Sequence, residues 1–260
     1  MGVAMDSIRF AVEDGIGRIG LNTDERNSFT LAEFRKLEEV LDGAAKSTLS
    51  ALVIASDREG VFSQGLNLSE LNSEESRKDL SPFLNHFFGI LEKIYFFPSP
   101  VIAEVGGHAI GYGAMIAIAS DFRMGLANLR MGLPEVKIGI RVPASVARML
   151  ANIVGWKETE QHIISGDMYK GSEAFEIGLL DEVYQTSSEL KVASSKLAKK
   201  ISKNSRSAVR ASKEGMRHLN RELAEIFKYD KEKTKESLRT SDAHEGVAAS
   251  ITGRRPEFEK

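Results

Sequence analysis

Three segments of this chain carry residue types that could do chemistry. The first is Gly60-Val61-Phe62-Ser63-Gln64-Gly65-Leu66-Asn67-Leu68, which follows an apolar run ending near Ala55. A glycine-containing turn after a strand can aim backbone N–H groups at a ligand. Taken alone, such a segment is more often a surface turn. The second is Gly106-Gly107-His108-Ala109-Ile110-Gly111-Tyr112-Gly113, with four glycines in eight residues. Glycine lets the backbone approach a ligand closely. The segment opens a helix, whose free N–H groups and dipole favour negative charge. The third is Glu135, in Met131-Gly132-Leu133-Pro134-Glu135-Val136-Lys137-Ile138-Gly139-Ile140. A carboxyl set among apolar residues is raised in pKa by burial and so suited to proton transfer. On context alone, a capping or surface glutamate after proline is the commoner case.

Other chemistries fit poorly. The glycine spacing is wrong for the usual dinucleotide fingerprint, and no acidic residue ends a following strand at the expected distance. There is no Gly-x-Ser-x-Gly elbow and no His/Asp/Glu set with metal-ligand spacing. The absence of cysteine excludes disulfides, thiolate metal sites and a cysteine nucleophile. A formal charge of −2 leaves no electrostatic footprint for nucleic acid. No apolar run approaches the roughly 20 residues that span a bilayer. Met1 to Phe10 has no signal-peptide core, and Phe258-Glu259-Lys260 is no peroxisomal address. A cytoplasmic protein is the expectation that remains.

The elements that must position these segments follow from periodicity. Ile8 to Val12 and Ile16 to Leu21 alternate around Glu13-Asp14-Gly15 and read as a β-hairpin. Thr30 with Glu33 fits a capping box, followed by an apolar face of Leu31, Phe34, Leu37, Val40 and Leu41. Leu52 to Ala55 suits a strand buried on both faces, whereas polar Asn72 to Lys78 reads as a mobile loop. Leu80 to Phe97 has helical spacing and ends at Pro98 and Pro100. Val101 to Val105 reads as a second buried strand. The repeated β–turn–α order points to α/β architecture. Beyond Pro143 strands are scarce, with helical patterns over 144–154, 158–165, 173–176 and most of 189–249. The charge-rich stretch from Arg221 to Arg239 reads as a solvated helix lying on the core.

Together the segments resemble the crotonase (enoyl-CoA hydratase/isomerase) superfamily. Phe62 to Leu68 resembles its first signature and Gly107 to Asp121 its second, and Leu133-Pro134-Glu135 stands the right distance further on. Leu21-Asn22 through Arg26-Asn27-Ser28 resembles the family's early coenzyme-A segment. Gly166-Asp167, Leu180-Asp181-Glu182-Val183 and Ala243-His244-Glu245-Gly246-Val247-Ala248 look like later landmarks. The resemblance implies an α/β spiral of repeated ββα units over residues 1–178. It implies a helical C-terminal trimerisation region over 179–260, giving a homotrimer or a dimer of trimers. It implies no metal or redox cofactor, coenzyme A arriving as part of an acyl-CoA thioester. The amides of Leu66 and Tyr112 should form an oxyanion hole for the thioester carbonyl, since fixed dipoles stabilise an enolate without reorganising. Tyr112 replaces the family's usual glycine, and its ring is expected to narrow the acyl pocket. Glu135 is the implied catalytic carboxylate. Arg26, Ser28, Ser63, Gln64, Gly65, Asn67, Leu68, Gly111 and Pro134 are the implied substrate-binding positions.

Hydratases of this family carry two glutamates. Glu135 matches one, while the other position falls on Met115, which cannot move a proton. One carboxylate with an apolar residue in place of the other is similar to the pattern of Δ3,Δ2-enoyl-CoA isomerases. Ser56-Asp57-Arg58-Glu59-Gly60-Val61-Phe62-Ser63 with Gly65-Leu66 looks particularly like the mitochondrial type. The expected activity is therefore isomerisation, with an enoyl-CoA hydratase or a non-catalytic acyl-CoA-binding homologue as alternatives. Pocket shape is expected to depend on residues scattered along the 80–97 helix and the tail. His108 reads as an incidental turn residue, His86 as a satisfied core or interface residue, and Asp121 as structural.

Overall fold

The computed structural model describes residues 7–259. Met1 to Asp6 and Lys260, on which the reading of the two termini partly falls, lie outside the described residues.

The expected hairpin forms from Ile8–Glu13 (β1) and Ile16–Leu21 (β2). Asp14 and Gly15 both take positive φ, 51° and 72°, giving the two-residue turn whose twist matches the paired strands. Thr30 caps Leu31–Lys46 (α1) through a capping box with Glu33, and Phe34, Leu37, Leu41 and Ala44 are its buried face. Ala51–Ser56 (β3) lies parallel between β2 and Val101–Val105 (β5), which explains its unbroken apolar run.

After Gly60–Ser63 (β4) come two short helices, Leu68–Leu71 (α2) and Glu74–Lys78 (α3). The second corrects the loop expected over 72–78. Ser73 caps it, and Glu74 and Glu75 complement the dipole in its first turn, so local capping overrides the polar composition. Ser81–Tyr95 (α4) is the apolar helix anticipated before Pro98.

The remaining core elements are Gly107–Ile110 (β6), Tyr112–Ala119 (α5), Phe122–Leu126 (β7) and Arg130–Gly132 (β8), followed by a short 3-10 helix, Pro134–Ile138. Next are Ala144–Val154 (α6), Trp156–Ser165 (α7), Met168–Lys170 (β9), Gly171–Glu176 (α8) and Glu182–Tyr184 (β10). The chain closes with Ser187–Ser202 (α9), Arg206–His218 (α10), Leu223–Ser237 (α11) and Ser241–Thr252 (α12).

Two sheets result. The larger runs β1-β2-β3-β5-β7-β10 and is parallel from β2 onward; the smaller runs β4-β6-β8-β9. Three successive passes, β3-β4, β5-β6 and β7-β8, each lay one strand in the large sheet and the next in the small one, then turn into a helix. This is an α/β spiral of ββα units with a helical C-terminal region. β10 lies beyond Gly178, where the spiral was expected to end, and still pairs with β7.

The late helices fold back on the core. α11 packs on α4 and α6, and α12 packs on the 3-10 helix. Asp121 is structural: it accepts the Val101 amide at 2.7 Å and pairs with Lys213 and Arg217 of α10. His108 accepts the Arg130 amide through Nδ1, and His86 pairs with Glu38.

Candidate active site

Two chain breaks build the site. At the first, Gly65 has φ +96° and Leu66 forms a parallel bridge with Phe29. Phe29 donates to the Gly65 carbonyl and accepts from the Asn67 amide. The Leu66 amide between them has no acceptor among the described residues. At the second, Gly111 turns β6 into α5 with φ +56°, its own amide bonded to the Gly132 carbonyl at 2.9 Å. The Tyr112 amide is the first of α5 and is also without an acceptor among the described residues, as expected at a helix start. The two breaks abut: a β-carbon on Gly65 would lie 3.0 Å from the Ile110 carbonyl oxygen and 3.3 Å from the Tyr112 nitrogen. α5 is apolar and buried along its whole length, so its N-terminal dipole acts in a dry setting.

Glu135 reaches the same place from the 3-10 helix. A β-carbon on Gly111 would meet its Oε1 at 3.0 Å. Its Oε2 is buried with no hydrogen-bond partner among the described residues. Burial pushes the carboxyl up to about 7, outweighing a bond from its own backbone amide that acts the other way. A carboxyl poised there suits proton transfer at neutral pH.

These groups line one cavity of about 750 Å³. Gly65, Leu66, Gly111, Tyr112, Met115, Pro134 and Glu135 surround the two free amides, and Arg26, Ser28, Gln64, Asn67 and Leu68 line a polar flank with Asp24. Several side chains on that flank are already engaged. Ser28 bonds Asp24, and Asn67 caps α2 by accepting the Glu70 amide. Ser63, expected among the binding residues, does not line the cavity. It is fully buried, donating to the Asn27 carbonyl and accepting the Gly65 amide, and so fixes the loop from behind. The Tyr112 ring, whose residue lines the cavity, is held in place by its neighbours. It sits among Phe29, Phe34 and Phe87, its hydroxyl donating to the Phe87 carbonyl, and is thus drawn into the core.

The opposite flank consists of Phe83, Leu84 and Phe87 of α4 with Ile140, Arg141, Thr234 and Leu238. Helix 80–97 and the tail thus shape the pocket as anticipated, but Asp24, Arg141, Thr234 and Leu238 carry no local signal. Arg141 and Thr234 acquire meaning only when α11 folds against α6.

The family model described as "Enoyl-CoA hydratase/isomerase" matches residues 11–260. The chain belongs to the enoyl-CoA hydratase/isomerase family. It is 30% identical over 236 residues to the 2,3-dehydroadipyl-CoA hydratase of Escherichia coli, covering 90% of each chain. It is 29% identical over 245 residues to the short-chain-enoyl-CoA hydratase of Clostridium acetobutylicum, covering 91% of this chain and 88% of that one. Among solved structures, an enoyl-CoA hydratase from Mycobacterium avium subsp. paratuberculosis superposes with a TM-score of 0.86 at 22% identity, covering 98% and 99%. A methylmalonyl-CoA decarboxylase gives 0.83 at 19%, covering 98% and 99%. At these identities the structural likenesses concern the fold alone, which hosts more than one reaction.

Proposed function

We propose that this member of the family is a Δ3,Δ2-enoyl-CoA isomerase with Glu135 as its sole acid/base. One observation carries the reading: besides Glu135, the only described acidic residue lining the cavity is Asp24. Asp24 is occupied by the Ser28 hydroxyl and by the Ser28 and Arg26 amides. Met115, on α5 beside the hole, is buried and offers no second carboxylate.

In the reaction the thioester oxygen accepts from the Leu66 and Tyr112 amides. Ionised Glu135 removes a proton from C2 of a 3-enoyl-CoA, and the electron pair passes to the thioester oxygen, giving a conjugated enolate. The protonated Glu135 returns its proton at C4 as the electrons flow back, leaving the double bond between C2 and C3. Atoms and charge balance with one carboxylate. The hole acts only on charge that develops, where preorganised donors help most. The coenzyme-A portion lies along the Arg26, Gln64, Asn67 and Leu68 flank, with Ser63 holding the loop.

A second reading is enoyl-CoA hydratase, and the names of the curated relatives support it more directly than they support isomerisation. Hydration requires Glu135 alone to orient and activate water.

Turnover of the purified protein on 3-trans-hexenoyl-CoA and, separately, crotonyl-CoA tests both. The isomerase reading expects conjugated-thioester absorbance to appear in the first and persist in the second. Rapid loss of conjugation in the second, with none gained in the first, establishes the hydratase instead.

A further inference from the structure

Among the apolar side chains of Phe83, Leu84, Phe87, Ile140 and Leu238, the cavity is also lined by Arg141 and Thr234, and each of these two keeps a donor that no described residue accepts. Thr234, on α11, is 5% exposed, yet its hydroxyl has no hydrogen-bond partner among the described residues. It does not even take the carbonyl one turn back, the usual resort of a helical threonine. A buried hydroxyl left unpaired is costly unless a ligand completes it.

Arg141 donates through Nη1 to Asp230 at 3.0 Å, and its guanidinium lies over the Tyr229 ring. Asp230 is wholly buried and does not belong to Arg141 alone. It also accepts the Ala144 amide at 2.9 Å and the Ser145 amide at 2.7 Å, at the start of α6. The positive end of α6 therefore takes up part of the carboxylate charge. The guanidinium keeps positive charge, and its Nε and Nη2 have no acceptor among the described residues. Those two nitrogens form the edge that grips a carboxylate with two parallel hydrogen bonds.

We infer that the acyl group taken by this site carries a carboxylate at its far end, so that the substrates are CoA monothioesters of dicarboxylic acids. Arg141 Nε and Nη2 hold the carboxylate, and the Thr234 hydroxyl donates to it from α11. This rests on the acyl-CoA reading of the cavity but not on which reaction Glu135 performs.

Calorimetry on the full chain with saturated, unreactive thioesters tests it: succinyl-, adipyl- and suberyl-CoA against butyryl-, hexanoyl- and octanoyl-CoA. One charged hydrogen-bonded contact should give at least one carboxylate member an advantage of about tenfold or more over its methyl-ended counterpart. Arg141→Met should reduce that advantage to about twofold or less, and Thr234→Val should narrow it by a smaller factor. Should loss of the Arg141–Asp230 pair prevent folding of the first variant, the Arg141→Met/Asp230→Asn double variant removes both charges together. Equal or tighter binding of the methyl-ended member in all three wild-type pairs overturns the inference and leaves the acyl-CoA reading intact. So does an advantage that survives loss of Arg141. No binding of any CoA thioester overturns both.

Discussion

Burial raises the Glu135 carboxyl to about 7, which affects activity and stability in opposite ways. As the base it must be ionised, so kcat/KM on a 3-enoyl-CoA should fall about tenfold per pH unit below about pH 7. A pH–rate profile flat down to pH 5 contradicts this. In the unfolded chain the same carboxyl titrates near its ordinary 4.5. Its raised folded value therefore contributes stability that is complete below about 4.5 and lost as pH climbs through about 7. Glu135→Gln cannot ionise, so the variant should melt above wild type at pH 8, by about 7–14 °C, with the difference vanishing near pH 4.5. An unchanged melting difference across that range counts against the buried carboxylate. Glu135 and the two amides were legible in the sequence because their spacing follows a family pattern. The Tyr112 ring was not, because nothing in Gly111-Tyr112-Gly113 shows that Phe29, Phe34 and Phe87 enclose it.

The 3-10 helix bearing Glu135 owes its position to α12. A β-carbon on Gly246 would lie 2.1 Å from the Ile138 carbonyl oxygen, and one on Gly139 would lie 2.5 Å from Asp242. The two backbones touch because both positions are glycine, which gives a physical reason for the Gly246 landmark. Gly246→Ala should push α12 off the 3-10 helix and displace Glu135. Small shifts at a catalytic group can cost about 100-fold in rate, so kcat should drop by at least tenfold while circular dichroism keeps its helical signal. Wild-type kcat in that variant contradicts the coupling. Elements with strong local chemistry, such as the Asp14-Gly15 hairpin and the Thr30–Glu33 capping box, could be foreseen. β7, β8 and β9 could not: they run three to five residues, too short for a readable period, and pairing with neighbouring strands defines them.

At the scale of the molecule, the two sheets and the C-terminal helices hold two glycine breaks and the Glu135 carboxyl around one cavity. The helical region adds α11 to the cavity wall and leaves Ile164, Val192 and Leu219 at 77%, 66% and 78% exposure on α7, on α9 and after α10. By the family resemblance these outer faces are proposed to meet other copies of the chain. Light scattering should then give three or six times the 28.6 kDa of one chain. A monomer at micromolar concentration refutes the trimer. α/β architecture was legible in the repeated β–turn–α order, whereas the return of the tail onto the cavity depends on contacts between distant helices and was not.

The central claim is that Glu135 alone moves the proton. The most direct measurement is single-turnover isomerisation of 3-trans-hexenoyl-CoA by wild type and Glu135→Gln, with hexanoyl-CoA affinity measured alongside. The account predicts a loss of at least about 100-fold in rate with affinity changed by less than about threefold. An undiminished rate in Glu135→Gln contradicts it.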